Sequence, residues 1–252
     1  MLGAIIGDIV GSRFEFNNTK QYDFELFTDK CSFTDDTICT IAVAEALMSD
    51  MDYKQHLLQW CRKYPNPMGS YGGSFARWIA SDDPQPYNSF GNGAAMRVSP
   101  VAWACGYAGE VLSEAIATAN VSHNHPEGIK GAMATALAVF YLRTTKRKDV
   151  VDVIEGMYYD INAKYRRGVF DETCQGTVPV ALRIIKDSKD FEDAIRLAMA
   201  WGGDSDTLGA IVGAMAEALY GIPVGIQRYA KSYLPNDMLQ VVNKFYKKFV
   251  ML

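Results

Sequence analysis

The chain has no Cys-x-x-Cys pair and only three histidines in 252 residues, and no cysteine or third histidine stands at ligand spacing from His123 and His125. That shortage argues against a zinc centre. The five cysteines, Cys31, Cys39, Cys61, Cys105 and Cys174, are odd in number and scattered, the pattern of free thiols in a reducing compartment rather than of a disulfide framework. Basic residues are not in excess: 25 Lys and Arg against 29 Asp and Glu leave a net charge of -4, which excludes a broad basic face and with it general nucleic-acid binding. No apolar run approaches the roughly 18 residues needed to cross a bilayer, so no membrane association is expected. The apolar start, Met1 to Val10, has no basic region before it and is interrupted by Asp8, which is not the build of a signal peptide. A cytoplasmic protein is the expectation.

Alternating strand patterns are nearly absent as well, and helical spacing takes their place. It is legible from Asp52 to Tyr64, Glu110 to Val121, Pro126 to Thr144, Asp149 to Asp160, Phe191 to Trp201 and Asn236 to Phe249. With no linker in view, the expected architecture is all-α, one compact multi-helix domain spanning residues 1–252. Gly3, Gly7 and Gly11 recur at intervals of four, and Gly209 and Gly213 with Ala210, Ala214 and Ala218 form similar rows late in the chain. Small residues on one helix face let another backbone come close, so these segments belong at the centre of a bundle. Two stretches break the pattern: 64–94, rich in Pro and Gly with one short helix near Ser74 to Ile79, and 163–176. Long loops of this kind often carry function, and both are candidates for a substrate rim.

Two acidic clusters open apolar helical stretches: Thr34-Asp35-Asp36-Thr37 and Asp204-Ser205-Asp206-Thr207. Asp and Thr cap helices, and one cluster alone would need no other reading. Each helix needs a single cap, however, while each cluster supplies several candidates, and Gly202-Gly203 gives the backbone freedom to turn Asp204 and Asp206 toward a common point. Ionised groups at the mouth of an apolar segment require a partner. Four carboxylates and two or more threonine hydroxyls form an oxygen-only set suited to magnesium or manganese, with charge enough for two ions.

Three further groups carry chemical potential. Ser89-Phe90-Gly91-Asn92-Gly93-Ala94-Ala95-Met96-Arg97 permits a tight loop whose N–H groups can face phosphate oxygens while Phe90 stacks on a base or ribose; equally, Arg97 can serve only to pair with a nearby acid. Ser122-His123-Asn124-His125 precedes an expected helix start and reads as a substrate contact or as a turn cap. Glu15, between Phe14 and Phe16, is either a buried carboxyl with a raised pKa or a surface charge beside Arg13 or Lys20.

Taken together, Gly7-Asp8-x-x-Gly11-Ser12, Phe33 to Thr37, Phe90 to Arg97, Ser122-His123 and Gly202 to Thr207 occur in one order over residues 3–221, and the chain resembles the ADP-ribosylglycohydrolase family. The resemblance implies an all-α fold around two magnesium or manganese ions held by Thr34, Asp35, Asp36, Asp204, Asp206 and Thr207. It implies substrate contacts from Ser89, Phe90, Gly91, Asn92, Gly93 and His123, and catalytic parts for Glu15, Asp35 and Asp36. The implied reaction is hydrolysis of the glycosidic bond between ADP-ribose and an acceptor: a protein side chain such as arginine or serine, or a small molecule. A non-catalytic ADP-ribose-binding module and a two-metal phosphohydrolase are the alternatives. Phe90 stands where some relatives have tyrosine, which keeps stacking but removes a hydroxyl. Acceptor and oligomeric state are not written in these motifs.

Overall fold

Capping residues and helical spacing set the element order. Among the residues that the computed structural model describes, 1–160 and 162–250, the chain forms α1 (Leu2–Gly11), α2 (Asp35–Met48), α3 (Tyr53–Lys63), α4 (Gly73–Ala80), α5 (Gly93–Met96), α6 (Ser99–Ala104), α7 (Ala108–Asn120), α8 (Pro126–Thr145), α9 (Val150–Tyr158), α10 (Cys174–Asp187), α11 (Phe191–Trp201), α12 (Ser205–Tyr220), α13 (Val224–Lys231) and α14 (Asn236–Phe249). A single turn of 3₁₀ helix, Ser12–Phe14, follows α1. No sheet forms among these residues; Thr34 with Met68 and Gly91 with Thr173 make two isolated bridges. Side chains cap the starts of five helices: Thr34 accepts from Asp36 N–H at 3.2 Å, Asp52 from Gln55 at 3.0 Å, His125 from Glu127 at 3.1 Å, Thr173 from Gly176 at 3.0 Å and Asp190 from Asp193 at 2.9 Å. Each bond satisfies a backbone donor that the helix itself leaves free.

All ten residues of α1 are buried, and so is α12 from Ser205 to Ala218. The glycine rows explain how two such helices share the centre. A Cβ at Gly7 would collide with the carbonyl of Gly209, one at Gly3 with that of Gly213, and one at Gly209 would stand 2.5 Å from the Gly7 carbonyl oxygen. The two stripes face each other at backbone distance, as their spacing predicts. At the end of α1, Gly11 abuts the backbone of Asp206, where a Cβ would lie 2.6 Å from its Cα. The glycine contact therefore sets the register between the segment leading to Glu15 and the second acidic cluster. Helices α8, α10 and α11 pack on the remaining sides of α12, and α2 packs on α1 and α14.

The helices legible in the sequence occur within two residues of their expected ends, and Phe191–Trp201 and Asn236–Phe249 occur as read. The short helices α5 and α6, and α13, carry too few turns to show a period. Helix α10 begins at Cys174, inside the stretch read as irregular to residue 176, and contains Pro179. All five cysteines are free and buried. No helix of the described residues is long and apolar enough to cross a membrane.

Candidate active site

The two acidic clusters meet. Thr207 in α12 donates its hydroxyl to Asp36 Oδ2 in α2 at 3.1 Å, joining residues 171 positions apart in sequence. Local structure frees the carboxylates from capping. At α2 the cap is the Thr34 hydroxyl, which leaves Asp35 and Asp36 to other partners. At α12 the first residue outside the helix is Asp204, whose side chain makes no capping bond and instead accepts from Asn92 Nδ2 at 2.7 Å. Gly202 and Gly203 have φ of +76° and +87°, the left-handed turn that aims Asp204 inward. Glu15, beyond α1, completes the group: oxygens of Glu15, Asp204 and Asp206 all lie within 4.8 Å of one another.

These side chains line one cavity of about 250 Å³, whose lining includes Glu15, Asp35, Asp36, Asp204, Asp206 and Thr207 together with Ser89, Gly91, Asn92, Gly93, Arg97 and His123. Glu15 Oε2, Asp36 Oδ1 and Asp206 Oδ1 are buried with no hydrogen-bond partner. Bare carboxylate oxygens crowded together are unstable unless protonated or met by a cation. Burial first, and then mutual repulsion, push the Asp35, Asp36 and Asp206 carboxyls well above the usual carboxylate range. Glu15 rises to about 7, through burial and then the charge of Asp204. The donor set is oxygen-only and hard, and three of its buried oxygens have no hydrogen-bond partner; the residues fit a divalent cation of the magnesium or manganese kind.

The loop from Ser89 to Gly93 is held from behind. Asn92 N–H donates to the Glu172 carbonyl at 2.7 Å and Cys174 N–H to the Phe90 carbonyl at 3.0 Å, while a Cβ at Gly128 would press within 2.7 Å of the Ser89 carbonyl. Ser89, Gly91, Asn92, Gly93 and His123 reach the cavity, as do Ser70, Gly72, Gly73, Ser74 and Tyr87 from the first irregular stretch and Glu172 from the second. Both stretches thus supply rim. Two residues stand apart. Phe90 is 44% exposed and lies outside the cavity lining, its ring 5.2 Å from that of His125. Thr34 lies beneath the wall, fully buried, its hydroxyl donating to Asp8 Oδ1 at 2.7 Å. The histidine pair divides: His123 faces the cavity and His125 caps α8.

The model of the ADP-ribosylglycohydrolase family matches residues 1–250. The chain belongs to this family. It is 24% identical over 247 residues to ADP-ribosyl-[dinitrogen reductase] glycohydrolase of Rhodospirillum rubrum, covering 88% of this chain and 84% of that protein. With human ADP-ribosylhydrolase ARH3 it shares 23% over 338 residues, 98% of this chain and 93% of the other. An ADP-ribosylarginine hydrolase of Pseudomonas putida (strain GB-1) is 26% identical over 267 residues, covering 88% and 70%. Among solved structures, an "ADP-ribosylglycohydrolase-related protein complex" superposes with a TM-score of 0.74 over 98% of this chain and 96% of that one, at 23% identity. The all-α ADP-ribosylglycohydrolase fold and membership of a family of hydrolases are therefore secure.

This family member's site also depends on residues that the sequence motifs contained without revealing their work. Asp8 accepts four hydrogen bonds: Thr34 N–H at 3.0 Å, the Thr34 hydroxyl, Thr37 N–H at 3.1 Å and the Thr37 hydroxyl. It is fully buried, and burial raises its pKa to about 6 against the opposing pull of those bonds. A carboxylate below the start of α2 thus fixes the turn carrying Asp35 and Asp36. Asn18 does the same for the second cluster, accepting from Gly203 N–H at 2.7 Å and donating to the Gly203 carbonyl at 2.8 Å. Asp8 stands in a glycine motif and Asn18 in none; their partners lie 26 to 185 residues away, which no local pattern encodes.

Proposed function

We propose that this chain hydrolyses the bond between C1 of the distal ribose of an ADP-ribosyl group and its acceptor, a protein side chain such as arginine or serine or a small molecule. The observation that carries the reading is the meeting of Asp36 with Thr207 and Asp206 beside Glu15, with three of their carboxylate oxygens buried without a hydrogen-bond partner, around a cavity that the Ser89 to Gly93 loop also lines. Family membership supports the reaction class.

Two magnesium or manganese ions would be held by Asp35, Asp36, Asp204, Asp206 and Thr207, while Thr34, its hydroxyl bonded to Asp8 and to Asp36 N–H, supports the turn behind them rather than reaching the cavity. When bound, they supply Lewis acidity toward the ribose hydroxyls and water. The remaining work falls to the chain. Asp35 or Asp36 takes the proton of the attacking water. Glu15, with its pKa raised to about 7, holds or releases a proton near neutral pH, as assistance to a leaving group requires. Asn92 steers Asp204 through its 2.7 Å bond. The loop from Ser89 to Gly93 and His123 grip the diphosphate, while the exposed Phe90 ring lies against His125 outside the cavity lining and is left to the base or ribose. Fixing the ribose between these walls supplies positioning, and the carboxylates stabilise an oxocarbenium-like transition state.

The test is incubation with peptides ADP-ribosylated on arginine or on serine, with Mg²⁺ or Mn²⁺ and with a chelator. Release of free ADP-ribose that stops on chelation, and that Asp36→Asn abolishes, is the expected result. Binding without release, or production of AMP and ribose phosphate, would overturn it.

A further inference from the structure

Behind the phosphate-facing wall, three side chains form a chain that ends on His123. Arg97, at the end of α5, is fully buried and lines the cavity, and among the described residues it makes no ion pair with an acid, which is one of the two readings that its sequence context allows. Its Nη2 donates to the Thr118 carbonyl at 2.7 Å and to Ser122 Oγ at 2.9 Å. Ser122, also fully buried, has its Oγ 2.8 Å from His123 Nδ1. On its other edge the imidazole faces the loop: a Cβ at Gly93 would lie 2.9 Å from Nε2 and one at Gly91 3.5 Å.

Donor and acceptor counting decides the order of hydrogens along this chain. A guanidinium can only donate, so Arg97 occupies one lone pair of Ser122 Oγ. The hydroxyl has a single hydrogen, and the acceptor within its reach is His123 Nδ1. Were Nδ1 protonated, Arg97 and His123 would both donate to Ser122, leaving the hydroxyl hydrogen buried without a partner, which is unfavourable. With Ser122 donating to Nδ1, the hydroxyl hydrogen and the ring nitrogen both have partners, while Arg97 Nε lacks one in either arrangement and does not affect the choice.

We propose that Arg97 and Ser122 are positioning residues that hold His123 as the tautomer with hydrogen on Nε2, so that the cavity wall presents a fixed N–H donor between Gly91 and Gly93, matched to a diphosphate oxygen. Burial, and then the nearby Arg97 charge, hold the His123 pKa well below that of free histidine, which keeps this donor neutral. Tyr87 and Phe75, with ring centroids 5.7 Å and 6.2 Å from the imidazole, restrict its rotation. The glycines at 91 and 93 leave open the space the donor needs. The choice of a diphosphate as recipient rests on the function proposed above; the tautomer does not.

Histidine ¹⁵N spectroscopy of the full chain tests this directly, since only His56, His123 and His125 contribute. The expected result is a His123 with hydrogen on Nε2 near neutral pH, before any ligand is added. In Ser122→Ala, where Arg97 keeps its bond to Thr118, Nδ1 loses its donor; the tautomers should mix and ADP-ribose affinity should fall about tenfold, the loss of one such bond, while divalent-cation affinity stays unchanged. Hydrogen on Nδ1 in the unaltered protein, a doubly protonated ring at neutral pH, or a tautomer unmoved by Ser122→Ala would each overturn the proposal. A wild-type protein with the expected tautomer that nonetheless fails to bind ADP-ribose would uphold the chain of hydrogens and refute the functional reading instead.

Discussion

Gly7 and Gly209 lie backbone to backbone, each occupying the space that a methyl group on the other's helix would need. The stripes on α1 and α12 therefore cannot tolerate even the smallest side chain without separating the helices that carry the site. Gly7→Ala should destabilise the fold by about 3 kcal/mol or more, because the obstructing atom is a carbonyl rather than a flexible side chain. Urea unfolding checks this, and a loss under about 1 kcal/mol would mean that the helices slide apart easily.

Gly156 supplies the contrast. It lies inside α9, exposed, and a Cβ added there would meet nothing within 4 Å. Gly156→Ala should stabilise by about 0.5–1 kcal/mol through helix propensity alone, read as a raised urea midpoint with an unchanged slope.

Asp8→Asn tests whether the base of α2 is held by charge. Oδ2 takes three of the four donors and Oδ1 takes the Thr34 hydroxyl, so an amide whose oxygen keeps the three would turn its N–H₂ onto that hydroxyl. A loss of about 2–3 kcal/mol is expected. Calorimetric titration should also show weaker divalent-cation binding, although Asp8 touches neither the cavity nor a proposed ligand carboxylate.

The acidic site makes stability depend on pH. Asp8 has its pKa raised from 3.8 to about 6 and Glu15 from 4.5 to about 7, chiefly by burial. The folded chain thus keeps protons that the unfolded chain has already released. Their contribution is complete below the unfolded values and is lost as the pH rises through the folded ones, so the chelated protein should melt at a lower temperature at about pH 8 than at about pH 5. Added Mn²⁺ or Mg²⁺ should raise the Tm more at the higher pH, since a cation replaces the protons there. An equal gain at both pH values would count against a cation bound to these carboxylates.

What the sequence could express was whatever repeats within a few residues. Capped, periodic helices such as Phe191–Trp201 and Asn236–Phe249 were readable to their ends, and the glycine intervals announced a close helix pair. The acidic clusters were conspicuous because they offered more carboxylates than caps require, and Thr34 does take the capping role at α2. Helices of one or two turns, α5 and α6, lack enough length for a period to appear. Asp8 and Asn18 act on partners across the fold, and the companionship of Arg97 with Ser122 rather than with an acid depends on where α7 ends. Such facts belong to tertiary geometry.

The glycine-to-glycine joint also makes the site depend on both ends of the fold at once. Asp35 and Asp36 lie close behind α1 in sequence, but the helix against which α1 seats, and with it Asp204, Asp206 and Thr207, comes much later, Thr207 standing 171 positions beyond Asp36. A fragment that stops before α12 would therefore keep Asp35 and Asp36 yet lack Asp206 and Thr207 of the cavity lining and the glycine face against which α1 seats.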